Sequence, residues 1–205
     1  MNLDLCERTT RQVADADLPT RWGQFRALGF ERSTPDNLET AVALIMGDIS
    51  VGVPLVRIHS QCLTGDVFGS VRCDCGEQLS RAMKAISGEG AGILIYEKQE
   101  GRGIGLMAKL QAYALQDVGL DTVEANERLG LAVDSRDFAL PVEILQQLGV
   151  AQVRLLTNNP QKIAAVEQAG IEVVERLACE VSPNPHALFY LTTKKLKMGH
   201  VLTMV

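Results

Sequence analysis

Several features are missing from this sequence, and each absence excludes a class of protein. No apolar run approaches the ~18 residues that a membrane-spanning helix needs, so the sequence predicts no membrane partner. The opening stretch, MNLDLCERTT, mixes acidic and basic side chains and lacks the apolar core of a signal peptide. The chain also has no low-complexity stretch and no repeat of solenoid length. We therefore expect a soluble, cytoplasmic protein with a packed core.

An excess of positive charge is also lacking. The chain has 20 Lys and Arg residues against 25 Asp and Glu residues, which gives a net charge of −5 and a pI near 5.3. A chain with this balance has no global basic field, so we expect no nucleic-acid partner. A phosphate-bearing ligand would need a local basic pocket instead.

The alternation of predicted strands and helices indicates a single mixed α/β domain, with a mixed sheet flanked by helices, to which the cysteines described below add a zinc site. The chain has 205 residues, of which 46% are hydrophobic and 22% charged, as in ordinary globular domains. Strands are predicted at Thr40–Gly47, Pro54–His59, Gly92–Tyr96, Gln152–Thr157 and 171–176. Helices are predicted from Asp74 to about Ile86, from Leu106 to Val118, from Leu140 to Leu148 and from Pro160 onward.

Three details of this prediction concern the ends of elements and of the chain. Asp74 is expected to cap its helix, with Glu77 completing a capping box. Residues 1–17 are expected to form a mobile N-terminal segment ahead of a domain over residues 18–205. The stretch Thr192–His200 is basic, and we expect it to be less regular than the rest.

The cysteines predict a metal or catalytic site rather than a disulfide framework. Their number is five, which is odd, and Cys62, Cys73 and Cys75 form a C-x10-C-x-C cluster. Thiolates are soft ligands that suit zinc, and three protein ligands plus water is the arrangement of a catalytic zinc ion. The spacing leaves open a structural site closed by His59, or three buried thiols without metal. The remaining two, Cys6 and Cys179, have no local partner and are interpreted as structural.

Three further polar stretches suit an anionic ligand. The loop Glu100–Gly105 stands between a predicted strand and a predicted helix, where backbone N–H groups can reach a phosphate. It matches neither G-x-G-x-x-G nor the P-loop, so a flexible connector remains an alternative. Asp134 and Arg136 would point the same way in an extended segment, although a solvated turn also fits. Thr157 and Lys162 flank a helix start, where simple capping by an Asn is the alternative.

The order of these motifs resembles one family, the GTP cyclohydrolases II. The resemblance runs through RIHSQCLTGDVFGSVRCDCGEQL, QEGRGIGL, DTVEAN, DSRDF, LLTNNPQK and the tail NPHALFYLTTKKLKMGHVL. It covers nearly the whole chain, from about Leu18 to Leu202. It implies that residues 18–205 form a GTP cyclohydrolase II domain, and that the protein is a homodimer.

The resemblance also implies the roles of individual residues. Cys62, Cys73 and Cys75 match the zinc ligands, one ion per chain. Asp134 matches a proton acceptor, Arg136 a nucleophile at the α-phosphorus, and Tyr113 an active-site tyrosine. An arginine nucleophile is unusual because the guanidinium is protonated near neutrality. The substrate-binding positions are matched by Arg57, Ile58, His59, Ser60, Gln61, Gln78, Glu100, Gly101, Arg102, Thr122, Thr157 and Lys162.

The reaction implied by the resemblance is the first step of riboflavin biosynthesis. GTP is opened at C8 of guanine, that carbon leaves as formate, and the triphosphate is cut between its α and β phosphates. Mg²⁺ would accompany the triphosphate and neutralise the pyrophosphate leaving group. One position departs from the family, which usually has Glu where this chain has Gln61. An amide still forms hydrogen bonds, but it carries no negative charge.

Three alternatives remain beside this interpretation. A paralogue could open the ring and retain the formyl group, although Tyr113 weighs against it. A non-catalytic module could bind a nucleotide beside a structural zinc ion. A zinc nucleobase deaminase would carry H-x-E and P-C-x-x-C, whereas this chain has His59-Ser60-Gln61 and no P-C-x-x-C.

Overall fold

The fold is built on a seven-stranded sheet. The structure is a computed structural model that describes residues 9–35, 37–182 and 184–205, and the strand count refers to those residues. The strands are Thr9–Thr20 (β1), Gly23–Ser33 (β2), Leu38–Met46 (β3), Leu55–Ser60 (β4), Gly92–Glu97 (β5), Gln152–Leu156 (β6) and Glu172–Leu177 (β7). Their order is β1-β2-β3-β5-β4-β6-β7. The first four in this order pair antiparallel and the last four pair parallel, so the predicted mixed sheet is confirmed.

Helices cover both faces of the parallel half of the sheet. Within the described residues they are Leu63–Asp66 (α1), Cys75–Glu89 (α2), Leu106–Asp117 (α3), Thr122–Arg128 (α4), Ala139–Gln147 (α5), Pro160–Gln168 (α6) and Leu188–Met198 (α7). A short 3₁₀ segment spans Glu100–Gly103. None of the helices in the described part has the length and apolar character needed to cross a bilayer.

Two apolar clusters hold these layers together. On one face α2 packs its buried side against the sheet, through a cluster that contains Phe25, Leu55, Ala82, Met83, Ile86 and Leu94. On the other face α5 and α6 complete a larger cluster that contains Ile58, Ile93, Ile95, Ile144, Leu145 and Val166. Strands β4 and β5 are buried along almost their whole length because both of their faces are covered.

The topology creates a crevice at one edge of the parallel strands. β4 lies between β5 and β6, and the chain leaves β4 towards β5 but leaves β6 towards β7. The connections therefore run in opposite directions from the carboxyl ends of β4 and β6. In open α/β sheets such a switch point is where ligands bind. Ser60 ends β4 and Thr157 follows β6, so both residues lie at this crevice.

Most of the predicted elements are confirmed, with shifts of a few residues at their ends. The five predicted strands correspond to β3 to β7, and the four predicted helices correspond to α2, α3, α5 and α6. At α6, Asn159 is the N-cap, its Oδ1 accepts the Gln161 N–H at 3.0 Å, and Pro160 occupies the first turn. The Asn-Pro pair therefore acts as the sequence indicates.

Two predictions about element ends are wrong. The stretch Thr192–His200 is regular, because most of it belongs to α7. Asp74 is the N-cap of α2, but its side chain makes no capping hydrogen bond. Its carboxylate instead accepts hydrogen bonds from Gln78 Nε2, one turn along α2, and from Lys194 Nζ on α7, and the capping box is not formed.

The N-terminal part of the chain extends the sheet. Residues 9–17, expected in a mobile segment, belong to β1, which pairs with β2 from Thr9 to Thr20. A boundary at residue 17 therefore falls inside a strand, and the domain division stays a prediction. Residues 1–8, including Cys6, lie outside the described residues.

Candidate active site

Three thiols meet where β4 ends and α2 begins. Cys62 precedes α1, while Cys73 and Cys75 lie at the start of α2, and all three sulfurs are within 4.8 Å of one another. The Cys62 and Cys73 sulfurs are 3.7 Å apart. A tetrahedral zinc ion with Zn–S bonds of about 2.3 Å places its sulfurs about 3.8 Å apart. The spacing and softness of this donor set therefore fit zinc.

Two glycines let the backbone approach the thiols closely. A Cβ atom on Gly65 would lie 3.2 Å from the sulfurs of both Cys62 and Cys73. A Cβ atom on Gly76 would lie 2.3 Å from the Gly65 carbonyl oxygen. Side chains at these positions would push α1 away from α2 and fill the space between the sulfurs. The glycines thus keep a cradle that an ion of zinc's size would occupy.

His59 orients this cluster without joining the sulfur set. It is 2% exposed, stacks on the Tyr96 ring and places Nε2 3.1 Å from Asp66 Oδ1. Burial lowers the pKa of His59, only partly opposed by Asp66, so the ring is neutral near pH 7. The Asp66 carboxylate also accepts the Cys62 N–H at 2.9 Å. Within the described residues the metal-ligating group contains the cysteines alone, which does not support a site closed by His59.

A buried ion pair joins the thiols to the glycine loop. Lys109 Nζ lies 2.7 Å from Glu100 Oε1 and 3.1 Å from Cys62 Sγ. The other Glu100 oxygen accepts the Leu63 N–H at 2.7 Å, so the same carboxylate fixes the start of α1. Hydrogen bonds from Cys73 and Cys75, aided by Lys109, hold the pKa of Cys62 well below its usual range. An anionic sulfur at Cys62 suits a metal ligand.

The glycine loop presents an arginine in a strained conformation. Gly101 and Arg102 both have φ of 62°, and Arg102 is the non-glycine residue with positive φ among the described residues. Such backbone strain clusters at functional sites. Both terminal nitrogens of Arg102 are buried without a hydrogen-bond partner in the described part of the chain. The loop therefore adopts an unfavourable backbone conformation and holds unpaired hydrogen-bond donors inside the protein.

Ser60 is the hub of a charged network at the end of β4. Its Oγ donates to Glu97 Oε1 at 2.5 Å and accepts from Lys162 Nζ at 3.2 Å. Lys162 also donates to the Ile58 carbonyl oxygen at 3.0 Å. Burial lowers the pKa of Lys162 and raises the pKa of Glu97. The Arg136 guanidinium lies at the same hub, with Nη1 3.5 Å from Ser60 Oγ.

Asp134 and Arg136 form a two-point ion pair, which was not predicted from the sequence. Arg136 donates from Nε at 2.9 Å and from Nη2 at 2.6 Å to the two carboxylate oxygens. Burial opposes both charges, but the pairing outweighs it, lowering the pKa of Asp134 and raising that of Arg136. A carboxylate with a lowered pKa is a weak base. The geometry therefore supports orientation of Arg136 by Asp134 better than proton removal by Asp134.

Arg57 links β4, α2 and β6 across the floor of the crevice. Its Nη2 donates to Gln78 Oε1 at 2.6 Å and its Nη1 to the Leu156 carbonyl oxygen at 3.0 Å, while Nε is buried without a partner. Thr157 uses its hydroxyl to accept the Asn159 N–H at 3.1 Å. Tyr113 on α3 places its hydroxyl 3.4 Å from Thr64 Oγ1, and burial raises its pKa.

One cavity collects nearly every residue that the sequence predicts for the site. The predicted residues that line it are Arg57, His59, Ser60, Gln61, Cys62, Cys73, Cys75, Gln78, Glu100, Gly101, Arg102, Tyr113, Thr122, Arg136, Thr157 and Lys162. Two predicted residues do not line it. The Ile58 side chain is in the core, where only its carbonyl oxygen meets Lys162. Asp134 lies behind Arg136.

The cavity also contains residues that sequence reasoning missed. They include Arg72, Lys109, Asn158, Asn159, Tyr190, Lys194 and His200. Lys109 and Arg72 have no motif of their own and reach the site through the packing of α3 and of the loop before α2. Asn158 and Asn159 were visible as the turn before Pro160. The last three come from α7 and the residues that follow it.

The charge of the cavity is opposite to that of the whole chain. Its lining contains one acidic residue, Glu100, against seven basic ones: Arg57, Arg72, Arg102, Lys109, Arg136, Lys162 and Lys194. Buried donors without a partner in the described residues also face this region, from Arg57, Arg102 and Asn159. Buried donors left unpaired are costly, so the arrangement calls for an anionic ligand rich in acceptors. The local basic pocket that a phosphate ligand requires is therefore present.

Together, the fold and the site define an α/β protein with a basic cavity at the carboxyl edge of its parallel strands, beside three thiols that could hold a metal ion. Comparison with known proteins is more specific. The family model described as GTP cyclohydrolase II matches residues 10–178. The chain belongs to the GTP cyclohydrolase II family, and it is a hydrolase.

The individual relatives agree with this assignment. GTP cyclohydrolase-2 of Actinobacillus succinogenes is 54% identical over 193 residues, which cover 94% of this chain and 88% of that protein. GTP cyclohydrolase-2 of an Enterobacter species is 54% identical over 194 residues, covering 94% of this chain and 98% of its own. Riboflavin biosynthesis protein RibBA of Chlorobium phaeovibrioides is 49% identical over 197 residues, covering 96% of this chain and 48% of that longer protein.

Proposed function

We propose that this protein catalyses the zinc-dependent hydrolysis of GTP to 2,5-diamino-6-ribosylamino-4(3H)-pyrimidinone 5′-phosphate, formate and pyrophosphate. This is the first step of riboflavin biosynthesis. The observation that carries the proposal is a single cavity lined by three clustered thiols and by a seven-to-one excess of basic over acidic residues. The names and high identity of the relatives support the substrate.

The thiol end of the cavity is where the guanine ring would react. Cys62, Cys73 and Cys75 would hold zinc, which supplies Lewis-acid activation of water near neutral pH. Asp66 fixes the Cys62 backbone, and Glu100 fixes the start of α1 through the Leu63 N–H. These contacts hold the thiols in place without ligand, so little reorganisation is needed when C8 of guanine approaches.

The basic end of the cavity would hold the triphosphate, with Mg²⁺ accompanying it. Arg136 is oriented by Asp134 on one side, which leaves Nη1 directed towards the Ser60 hub. Preorganised charge of this kind stabilises the negative charge that develops when a phosphoanhydride bond breaks. Because Asp134 raises the pKa of Arg136, the guanidinium stays protonated. We therefore favour an electrostatic role for Arg136 at the α-phosphate over a nucleophilic one.

The test is one incubation of the protein with GTP, Zn²⁺ and Mg²⁺, followed for formate, pyrophosphate and product mass. We expect formate and pyrophosphate in equal amounts. Cys73→Ser should abolish formate release and lower the bound zinc, because one thiolate ligand is lost. Cys179→Ser is the matched control, since this buried cysteine lies outside the thiol cluster and should keep both metal and activity.

Other outcomes would identify the alternatives. Pyrophosphate without formate, with a product that retains the formyl group, would indicate a ring-opening paralogue. Binding of GTP with no product would indicate a non-catalytic protein. We also infer a homodimer from the family resemblance, and sedimentation velocity would test that state separately.

A further inference from the structure

The C-terminal helix forms one wall of the cavity. Tyr190 and Lys194 on α7 and His200 just after it line the same space as the thiols and Arg136. The family model matches the chain up to residue 178, and these residues lie in the tail that follows, where the family resemblance implied no role for individual residues. No role was predicted for them from the sequence.

This wall is held by contacts of its own. The Val201 N–H donates to the Asn158 carbonyl oxygen at 3.0 Å, which attaches the chain after α7 to the turn that follows β6. The Glu180 carboxylate accepts the Thr203 N–H at 2.8 Å and the Met204 N–H at 3.0 Å. On the helix itself, Lys197 pairs with the Asp121 carboxylate. None of these contacts involves the Lys194 side chain, so α7 has attachments to the rest of the chain besides the one that Lys194 makes.

Lys194 is a buried cation with donors to spare. Its side chain is 12% exposed, and Nζ makes one hydrogen bond, to Asp74 Oδ1 at a long 3.4 Å. The ammonium also lies 4.4 Å from the centre of the Tyr190 ring. A lysine ammonium carries three donors, so one weak acceptor and one ring leave capacity unused. Unused hydrogen-bond donors of this kind suit a ligand with several strong acceptors.

A second cation with unused donors meets the same ring. The Arg102 guanidinium lies 5.5 Å from the Tyr190 ring centre, and its two terminal nitrogens have no partner among the described residues. Arg102 and Lys194 therefore converge on one aromatic platform from the glycine loop and from α7. Like charges held together away from water need an anion between them. Arg136 is less suited to bind this anion, because two of its nitrogens already donate hydrogen bonds to Asp134.

We propose that Lys194 is a phosphate-binding residue, and that with Arg102 it forms a subsite for the two terminal phosphates of the nucleoside triphosphate. This inference rests on the proposed function and deepens it. Arg136 then faces the α-phosphate, while α7 closes the cavity over the pyrophosphate portion. In the absence of substrate Asp74 serves as the resting partner of Lys194.

The experiment compares Lys194→Met with Lys195→Met, a matched control on the same helix whose side chain is exposed. Inorganic pyrophosphate and GMP serve as competitive inhibitors of GTP turnover. Loss of a charged hydrogen-bond donor should raise the KM for GTP and the inhibition constant of pyrophosphate by about tenfold or more. Inhibition by GMP, which lacks the terminal phosphates, should change less than about twofold. Lys194→Arg should restore most of the affinity for both GTP and pyrophosphate.

Three results would overturn the subsite. One is an unchanged affinity for pyrophosphate in Lys194→Met. Another is an equal weakening of GMP and pyrophosphate, accompanied by a lower melting temperature, which would show a structural role. The third is the same change in Lys195→Met. If the wild-type protein released no formate, the proposed function would be wrong. Calorimetric titration of pyrophosphate into the same variants would still test whether Lys194 and Arg102 bind phosphate.

Discussion

Two arginines with buried guanidinium nitrogens have opposite surroundings in this protein. Arg32 on β2 is 1% exposed and contacts three carboxylates, at 2.7 Å from Glu39, 2.7 Å from Asp137 and 3.2 Å from Glu143. Arg102 in the glycine loop buries both terminal nitrogens and gives them no partner in the described residues. A charge that its own chain neutralises serves the fold. A charge left without partners inside the protein is kept for a ligand.

A third arginine, Arg136, has a number of carboxylate partners intermediate between those of Arg32 and Arg102. Arg136 has one carboxylate partner, Asp134, which uses two of its nitrogens and leaves Nη1 towards the cavity. The regions are also connected, because Asp137, a partner of Arg32, follows Arg136 directly. Gln99 reinforces the connection by accepting the Asp137 N–H at 3.0 Å. The antiparallel half of the sheet thus holds the loop that presents Arg136. Substitution of each arginine tests whether its surroundings determine its role.

The largest effect is expected at Arg136. Arg136→Ala should lower kcat by about a thousandfold, because preorganised charge at the reacting group is worth up to about 4 kcal/mol. The free energy of unfolding should also fall, because Asp134, whose side chain is 12% exposed, is left without its cation. Steady-state kinetics with urea denaturation would measure both quantities. Arg154→Ala, which breaks exposed ion pairs to Glu89 and Glu175, is the control; a comparable loss of kcat there would refute the assignment.

The next effect concerns stability rather than turnover. Arg32→Met should lower the free energy of unfolding by about 3 kcal/mol, because three carboxylates lose the cation between them. Urea denaturation measures this change. Arg11→Met, which removes an exposed pair with Glu31, should cost less than about 1 kcal/mol. Equal costs for the two variants would show that the buried centre does not hold the fold.

Arg102 should give the reverse pattern at a smaller magnitude. Arg102→Met should raise the KM for GTP about thirtyfold, equivalent to ~2 kcal/mol, through the loss of charged hydrogen bonds to the ligand. Its melting temperature should stay the same or rise, because unpaired buried donors are removed. A fall in stability with an unchanged KM would place Arg102 with Arg32 and end the distinction.

The smallest effect is expected at Gln61, the position where the family resemblance leads us to expect Glu. Its backbone N–H donates to the Glu97 carbonyl oxygen at 2.9 Å, while its side chain lies partly exposed at the cavity. Gln61→Glu should change kcat/KM by less than about threefold, or ~0.7 kcal/mol. A rise of a hundredfold would show that the negative charge matters and that the wild-type protein works below its capacity.

Local signals in the sequence account for the elements whose partners are near in the chain. Buried β4 and β5 appear as apolar runs, α6 begins at Asn159-Pro160, and C-x10-C-x-C brings its thiols together within one short stretch. Local sequence signals do not reveal contacts between residues that are far apart in the chain. Asp74 had the spacing of a capping box, but Lys194, 120 residues later, and Gln78 take its carboxylate.

The same reason explains what was missed in the site. Nothing around Lys194 in the sequence distinguishes it from Lys195, because only the docking of α7 turns one lysine inward and the other outward. Arg32 likewise has no motif, since its carboxylates come from β3, α5 and the segment before α5. The basic residues of the cavity are therefore brought together only when the sheet and helices assemble, whereas the three thiols lie within one short segment of the chain.

Because the thiols lie in one short segment and the cavity residues do not, these two parts of the site are completed at different times during synthesis on the ribosome. The thiols lie within residues 62–75, so they are present soon after β4 has emerged. The cavity draws on residues from Arg57 to His200, and it cannot close until α7 has been made. A nascent or prematurely terminated chain would possess the three thiols while lacking a complete cavity. Under the proposed function, such a chain would bind zinc without consuming GTP, so metal binding would begin earlier in synthesis than turnover.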